Sequence, residues 1–172
     1  MRSRLPALIL FCAAAPASAQ EVFGGLFVHD VATPITKSGQ ENGVDLQFGW
    51  RGERIPALSV IGAPSPYVLG SVNTAGDTNF VAAGLSWKIG DRVYARPGVA
   101  IAVHDGPGDF QAPPDRIDFG SRILFELEGA VGVSLDQRWS VEASWVHLSH
   151  GTLFSPHNPG SDNFGVRLNY RY

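Results

Sequence analysis

A histidine and a serine lie two positions apart near the end of the chain, in the segment Trp145-Val146-His147-Leu148-Ser149. In a β-strand, residues i and i+2 point to the same side, with their Cβ atoms roughly 7 Å apart. An imidazole can span that gap and accept the hydroxyl proton, which is what a nucleophilic serine requires. The spacing therefore predicts Ser149 as a nucleophile and His147 as its base.

An acidic residue in the last segment of the chain completes a set of three. Asp162 has the same parity as Phe164 and Val166, so in a strand it faces the same side as those apolar residues. If that strand neighbours the one that carries His147, the carboxylate can hold the second ring nitrogen. Simpler interpretations are that His147 lies at a headgroup boundary, that Ser149 merely ends a strand, and that Asp162 caps a loop.

Strands are the elements that must position these side chains. Apolar residues alternate with small or polar ones in six segments, most clearly from Phe164 to Tyr172, and a period of two indicates strands with one apolar face. The connection at 53–64 contains Pro56 and Pro64 and could instead extend the third strand through a bulge. We predict eight strands, at 21–31, 43–52, 65–74, 79–89, 92–104, 118–135, 138–149 and 162–172.

Apolar and polar residues also alternate in the strands of a soluble sandwich. The composition of the polar face therefore distinguishes a membrane barrel from a sandwich. Mixed charges among small residues suit the filled interior of a narrow barrel whose apolar face contacts lipid. A β-structure in lipid must close, because every backbone group has to be paired internally. We therefore predict an all-β, eight-stranded antiparallel transmembrane β-barrel of the outer membrane. The inward charges are Asp45, Arg51, Arg96, Arg122, Glu126, Glu128, Glu142, Arg167 and Arg171.

Loop lengths give the barrel a direction, because outer-membrane barrels have short periplasmic turns and long extracellular loops. The short connections are 90–91 and 136–137, and the long ones are 32–42, 105–117 and 150–161. We therefore expect His147 and Ser149 at the extracellular rim, facing the outer leaflet. Aromatic residues near the predicted strand ends fit interfacial girdles. They are Trp50, Trp87, Trp139, Tyr170 and Tyr172.

The first nineteen residues have the form of a secretory signal peptide. Two arginines precede an apolar run, and Ala17-Ser18-Ala19 is an A-x-A cleavage signal, so 1–19 is predicted to be removed and 20–172 to form a single domain. Cys12, the lone cysteine, lies in the segment predicted to be removed, so the mature chain has no thiol for disulfides or thiolate catalysis. The mature chain has 11 basic and 16 acidic residues, a net charge of −5 that argues against a nucleic acid partner.

The motif His147-Leu148-Ser149, followed by Asn158-Pro159-Gly160 and an acid two residues later, resembles the lipid A 3-O-deacylase family of PagL type. The resemblance implies an outer-membrane esterase with its active site on the outer wall, the lipid A of lipopolysaccharide as substrate, and no metal or cofactor. It also implies Ser149 as nucleophile, His147 as base and Asp162 as orienting acid. The positions expected to form the oxyanion site are Asn158, Gly160, His150 and Gly151.

The sequence departs from this family at two positions near the motif. Well-known members carry glutamate where this chain has Asp162, a shorter side chain whose reach the backbone must make up. They carry asparagine after the serine, where this chain has His150, so backbone N–H groups must supply more of the oxyanion site. The loop between Ser149 and Asn158 is also one residue longer.

Other functions remain as alternatives at this point. The barrel could be non-catalytic, or it could be a different outer-membrane lipid enzyme, a phospholipase or an acyltransferase. A metal cluster at the strand ends is conceivable, although the ligand spacing is unrecognisable. Pairing with a second copy as a homodimer is also open. The histidines near the predicted strand ends are His29, His104, His150 and His157.

Overall fold

The structure, a computed structural model, describes residues 20–36, 39–108 and 112–172. The predicted signal peptide, 1–19, lies outside the described residues, and its removal and the single mature domain stay predictions. Across the described part of the chain, no helix has the length and apolar character needed to span a membrane.

Eight antiparallel strands form one closed sheet. Each strand pairs with the next along the chain, and β1 also pairs with β8, from Glu21 opposite Arg171 to Val28 opposite Phe164. The short piece Ile89–Gly90 continues the line of β4 along β5. This closure confirms the predicted eight-stranded antiparallel barrel. The strands are β1 Glu21–Val28, β2 Val44–Arg51, β3 Ser65–Asn73, β4 Phe80–Ser86, β5 Val93–His104, β6 Ile123–Ser134, β7 Trp139–Ser149 and β8 Ser161–Arg171.

Residues 53–64 form a connection, as predicted, and the alternative that they extend β3 is wrong, because Pro56–Ile61 forms a 3₁₀ helix that ends at Gly62 in the left-handed region. The prediction was wrong at the start of the sixth strand. The sixth strand begins at Ile123 and not at 118, since Gly120 has a φ of +69° that a strand cannot accommodate. Arg122 therefore precedes β6 and is exposed, and its guanidinium donates to backbone carbonyls of the preceding loop, not to the lumen network.

Inward positions carry paired charges, as the alternation predicted. Arg51 Nη2 lies 2.8 Å from Glu128 Oε1, and Arg96 Nε lies 2.7 Å from Glu142 Oε1. Arg167 donates to Glu128 as well, and this pair has no exposed side-chain surface. Because isolated charges are very costly away from water, the pairing of these residues lets a narrow barrel fill its interior with polar groups.

Four loops connect the strands at one end of the barrel: L1 (29–43), L2 (74–79), L3 (105–122) and L4 (150–160). Ile117 and Phe119 of L3 are completely buried and pack into the lumen beside Phe27, Leu124 and Leu148. These apolar side chains fill the lumen beneath the loops, above the layer of paired charges.

Aromatic residues gather at the opposite end, where the connections 87–92 and 135–138 are short and 52–64 contains the 3₁₀ helix. The indole N–H of Trp50 lies 3.2 Å from Gln20 Oε1 and 3.2 Å from the Tyr172 hydroxyl. The rings of Trp139 and Tyr170 are 4.7 Å apart. Their amphipathic rings fit a membrane–water boundary, as the sequence predicted for these positions.

The lumen network yields a stability prediction. Arg167→Met should lower the free energy of unfolding by about 3–5 kcal/mol, because it removes one partner of a buried ion pair and leaves Glu128 under-compensated. Urea unfolding in detergent micelles, followed by tryptophan fluorescence, measures the change. Arg138→Met is the matched control, since Arg138 is exposed in the β6–β7 turn and should unfold like the parent. Equal stability of the two variants would contradict the structural role of the network.

Candidate active site

The structure brings Ser149, His147 and Asp162 together on the outer wall of the barrel. Ser149 and His147 lie at the end of β7, and Ser149 Oγ is 2.9 Å from His147 Nε2. The register of β7 with β8 places Asp162 directly opposite His147, and Asp162 Oδ1 is 2.8 Å from His147 Nδ1. The first contact follows from the i, i+2 spacing and the second from strand pairing.

This arrangement defines the protonation that a nucleophilic serine needs. Asp162 can only accept when it is ionised, so a neutral His147 donates to it from Nδ1. Nε2 is then an acceptor for the Ser149 hydroxyl. With Asp162, His147 and Ser149 in contact in this order, the imidazole can take the proton of the serine hydroxyl.

A covering loop keeps the outward-facing carboxylate away from lipid. Asp162 is completely buried and His147 is 8% exposed, although both have outward parity. The Thr33 hydroxyl, in L1, donates to Asp162 Oδ2, and the Val31 N–H donates to the Asp162 carbonyl over 2.7 Å. From the other side, Trp145 Nε1 donates to Asp162 Oδ1 over 2.8 Å.

Sequence reasoning missed Trp145 and Thr33 as members of this site. A signal existed for Trp145, which lies two residues before His147 on the same face of β7. Thr33 could be found only by following the closure of the barrel, which brings the loop after β1 beside the start of β8.

The four residues expected to form the oxyanion site separate into two groups. Asn158 Oδ1 accepts the His150 N–H over 3.0 Å, and a Cβ on Gly160 would lie 3.3 Å from His147 Cε1, so both border the site. Gly151 is exposed at the start of L4 with a φ of +59°. His150 is the exception, because its side chain is completely buried on the inward side.

The expectation for His150 is therefore corrected. Its Nε2 lies 2.9 Å from the Phe119 carbonyl and 3.0 Å from the His157 carbonyl, so the ring ties L3 to L4. Its own N–H is already donated to Asn158. Strand parity explains the placement, since the residue after an outward-facing serine faces the lumen.

Buried charges anchor L1, the loop that carries Thr33. His29 Nε2 lies 2.9 Å from Glu41 Oε2, and Arg116 Nε lies 2.9 Å from Glu41 Oε1. Burial alone would lower the pKa of His29, but hydrogen bonds to Asp45 and Glu41 outweigh it and raise that pKa to about 9. Burial alone would raise the pKa of Glu41, but hydrogen bonds from His29, Arg116 and Thr78 lower it to about 2. L1 is thus held by charge-assisted contacts to L2 and L3.

The histidines near the strand ends are engaged separately. His29 contacts carboxylates, while His104 Nε2 lies 2.7 Å from the Ser121 carbonyl. In residues 20–36, 39–108 and 112–172, no three His, Cys, Asp or Glu side chains are grouped so as to hold a metal ion.

An apolar groove of about 710 Å³ runs along the outer wall beside Trp145. It is lined by small residues such as Ala143 and Gly129 and by the larger Trp145 and Phe164. A larger groove of about 810 Å³ lies on the wall of β1 to β5 and includes no residue of the Ser149 site. The smaller groove is therefore the one that adjoins the site.

Comparison with known proteins gives both a family and a fold. The family model for "Lipid A 3-O-deacylase (PagL)" matches residues 42–171. The sequence has no match among curated proteins. The crystal structure of the outer membrane enzyme PagL is similar, with a TM-score of 0.57 and 16% identity over 89% of this chain and 98% of that chain.

Two further solved structures share the barrel. One belongs to a de novo design of transmembrane β-barrels, with a TM-score of 0.54 and 11% identity over 90% of this chain and 96% of that chain. The other is the Yersinia pestis outer membrane protein Ail, with a TM-score of 0.51 and 10% identity over 90% of this chain and 99% of that chain. At such identities these likenesses describe the fold alone.

Because titratable side chains anchor L1, the protection of this loop from hydrogen exchange should depend on pH. The raised pKa of His29 contributes stability that is complete below its ordinary value of 6.5 and is lost as the pH rises through about 9. The lowered pKa of Glu41 contributes stability that is complete above its ordinary value of 4.5 and is lost as the pH falls toward about 2. Hydrogen-exchange protection of L1 amides should therefore be highest between these two ordinary values and fall toward pH 9.

Two comparisons make this measurement specific. Protection factors must be corrected for the intrinsic pH dependence of exchange, and β3 amides serve as the internal reference. His29→Gln should remove the alkaline decline, because glutamine does not titrate. Protection of L1 that stays constant up to pH 9 in the parent protein would contradict the role of His29.

Proposed function

Since the chain belongs to the lipid A 3-O-deacylase (PagL) family, we propose that it hydrolyses the 3-O-linked acyl ester of lipid A by a Ser-His-Asp mechanism. Ser149 is the nucleophile, His147 the general base and Asp162 the orienting acid. The observation that carries the proposal is the line of contacts from Ser149 Oγ through the imidazole to Asp162, at 2.9 and 2.8 Å. Hydrolysis of an ester by a nucleophilic serine uses this arrangement of hydroxyl, imidazole and carboxylate.

The reaction proceeds in two halves. Ser149 Oγ attacks the acyl carbonyl while His147 Nε2 takes the hydroxyl proton, and Asp162 stabilises the imidazolium that forms. The tetrahedral intermediate then expels the sugar oxygen, which receives the proton from His147, and the acyl group remains on Ser149. In the second half, His147 deprotonates a water that attacks the acyl-serine, and the fatty acid is released with Ser149 restored.

Donors for the developing oxyanion come from L4. Asn158 Oδ1 is occupied by the His150 N–H, so the carboxamide donates through Nδ2. The backbone N–H of Gly151 is the second donor in this proposal, because the N–H of His150 is already used. Donors fixed before the reaction stabilise the oxyanion without reorganisation.

The position of the site favours a lipid substrate of the outer leaflet. L1, L3 and L4 are long loops, which lie on the extracellular side in outer-membrane barrels, and lipopolysaccharide occupies that leaflet. The groove of about 710 Å³ is lined in part by Trp145, which contacts Asp162, and it offers apolar surface to the acyl chain. The outward orientation lets the ester enter from the leaflet. For the homodimer that the sequence left open, the described residues offer no support.

Removal of the nucleophile is the first test. Ser149→Ala should leave a folded, heat-modifiable barrel whose deacylation rate falls by roughly 10⁴- to 10⁶-fold. Mass spectrometry of lipid A from cells that express the variant measures the loss of one hydroxyacyl chain. Ser71→Ala is the matched control, since Ser71 is buried on β3, away from the site, and its hydroxyl has no partner within the described residues.

The same spectra discriminate the alternatives. Substantial acyl release by Ser149→Ala would reject the serine mechanism. Gain of a palmitate by lipid A would indicate an acyltransferase, accumulation of lysophospholipid would indicate a phospholipase, and unchanged lipids with the parent protein would indicate a non-catalytic barrel.

A second test concerns the oxyanion donor. Asn158→Asp keeps an acceptor for the His150 N–H but replaces the Nδ2 donor, so L4 should retain its fold while kcat falls by about 10²- to 10³-fold. KM should change little, because the lost interaction forms only in the transition state. Steady-state kinetics on purified lipid A in micelles provide the measurement. A variant with the parent's kcat would remove Asn158 from the oxyanion site.

A further inference from the structure

We infer that Trp145 and Thr33 are positioning residues that hold Asp162 in the one orientation in which it can orient His147. This inference rests on the proposed function and extends it to two residues that the family motif does not contain. The supporting observation is that three side chains from two segments of the chain, β7 and L1, donate to one buried carboxylate.

The donors hold the carboxylate from opposite sides. Oδ1 accepts two N–H groups, His147 Nδ1 at 2.8 Å and Trp145 Nε1 at 2.8 Å, while Oδ2 accepts the Thr33 hydroxyl. Rotation about the Cβ–Cγ bond would break all three contacts together. A carboxylate held only by the imidazole would have no such restraint.

The Thr33 contact has a defined direction. Asp162 cannot donate when ionised, so Thr33 must donate to it. The Thr33 oxygen is then free to accept, and the Thr36 hydroxyl lies 3.2 Å away. Thr36, Thr33 and Asp162 therefore form a short chain of hydrogen bonds that runs from L1 into the site.

Burial explains why this carboxylate needs additional donors. Asp162 lies on the outward face of a membrane barrel and is completely covered, so water does not solvate its charge. Hydrogen bonds to the carboxylate replace that solvation. Among the described residues, Asp162 is the carboxylate in contact with the His147 ring, so its orientation determines that of the base.

Two variants test the inference. Trp145→Phe removes the indole N–H and keeps an aromatic ring in the groove, and Thr33→Val removes the hydroxyl at nearly constant volume. Each should lower kcat by about 10-fold, the worth of one hydrogen bond to a charged group. KM should stay unchanged, because the orientation of His147 affects the chemical step. Thr33→Ser should restore the parent's behaviour, because it retains the donor.

Trp139→Phe is the matched control for Trp145→Phe. Trp139 lies on the same strand and the same outer face, at the end away from the site, so this variant should behave like the parent. A parent-like kcat in both Trp145→Phe and Thr33→Val would overturn the inference. An equal loss of kcat in Thr33→Ser and Thr33→Val would also overturn it, because packing and not the hydroxyl would then be responsible.

A spectroscopic readout separates this inference from the proposed reaction. The Nδ1 proton of His147, observed by proton NMR of the folded barrel, should change its chemical shift in Trp145→Phe and Thr33→Val and not in Trp139→Phe. This result supports the positioning role without any turnover. Unchanged shifts would reject the positioning role alone, whereas acyl release by Ser149→Ala would reject the serine mechanism.

Discussion

Pairing of β1 with β8 is the constraint on which the rest of this structure depends. Hydrocarbon offers no partner to a backbone N–H or carbonyl, so a sheet in a membrane must have no free edge. Closure then assigns every second residue to lipid and the others to a narrow lumen. The lumen fills with matched charges such as Arg167 and Glu128, and apolar residues cover the outside. The sequence alternation, the ion pairs and the loop arrangement all follow from that single requirement.

The Ser149 site departs from this rule and shows what such a departure needs. Three polar side chains face outward where the wall should be apolar, and they are tolerated because each is bonded and two are covered. L1 supplies the cover, and it is held in place by Glu41 through His29 and Arg116. The buried charges above the lumen and the polar site on the wall are therefore parts of one arrangement, in which one loop serves both.

Local and distant contacts differ in how far the sequence could predict them. The contact of Ser149 with His147 depends on two residues of one strand, and the period of two was sufficient to find it. Strand parity also indicates that His150 faces the lumen, but the prediction followed the motif resemblance and placed this residue in the oxyanion site. The start of β6 was missed because Ile117 and Phe119 alternate like a strand while packing as a loop inside the lumen. Thr33 was missed because 129 positions separate it from Asp162.

The seam between the first and last strands also determines when the site exists. Thr33 follows β1, whereas His147 and Asp162 belong to β7 and β8, the last two strands in the sequence. A partly assembled sheet whose ends have not met has no Thr33 beside Asp162. The complete hydrogen-bond set around Asp162 therefore exists only in the closed barrel, so the same strand pairing that removes the sheet edge also completes the restraint on this carboxylate.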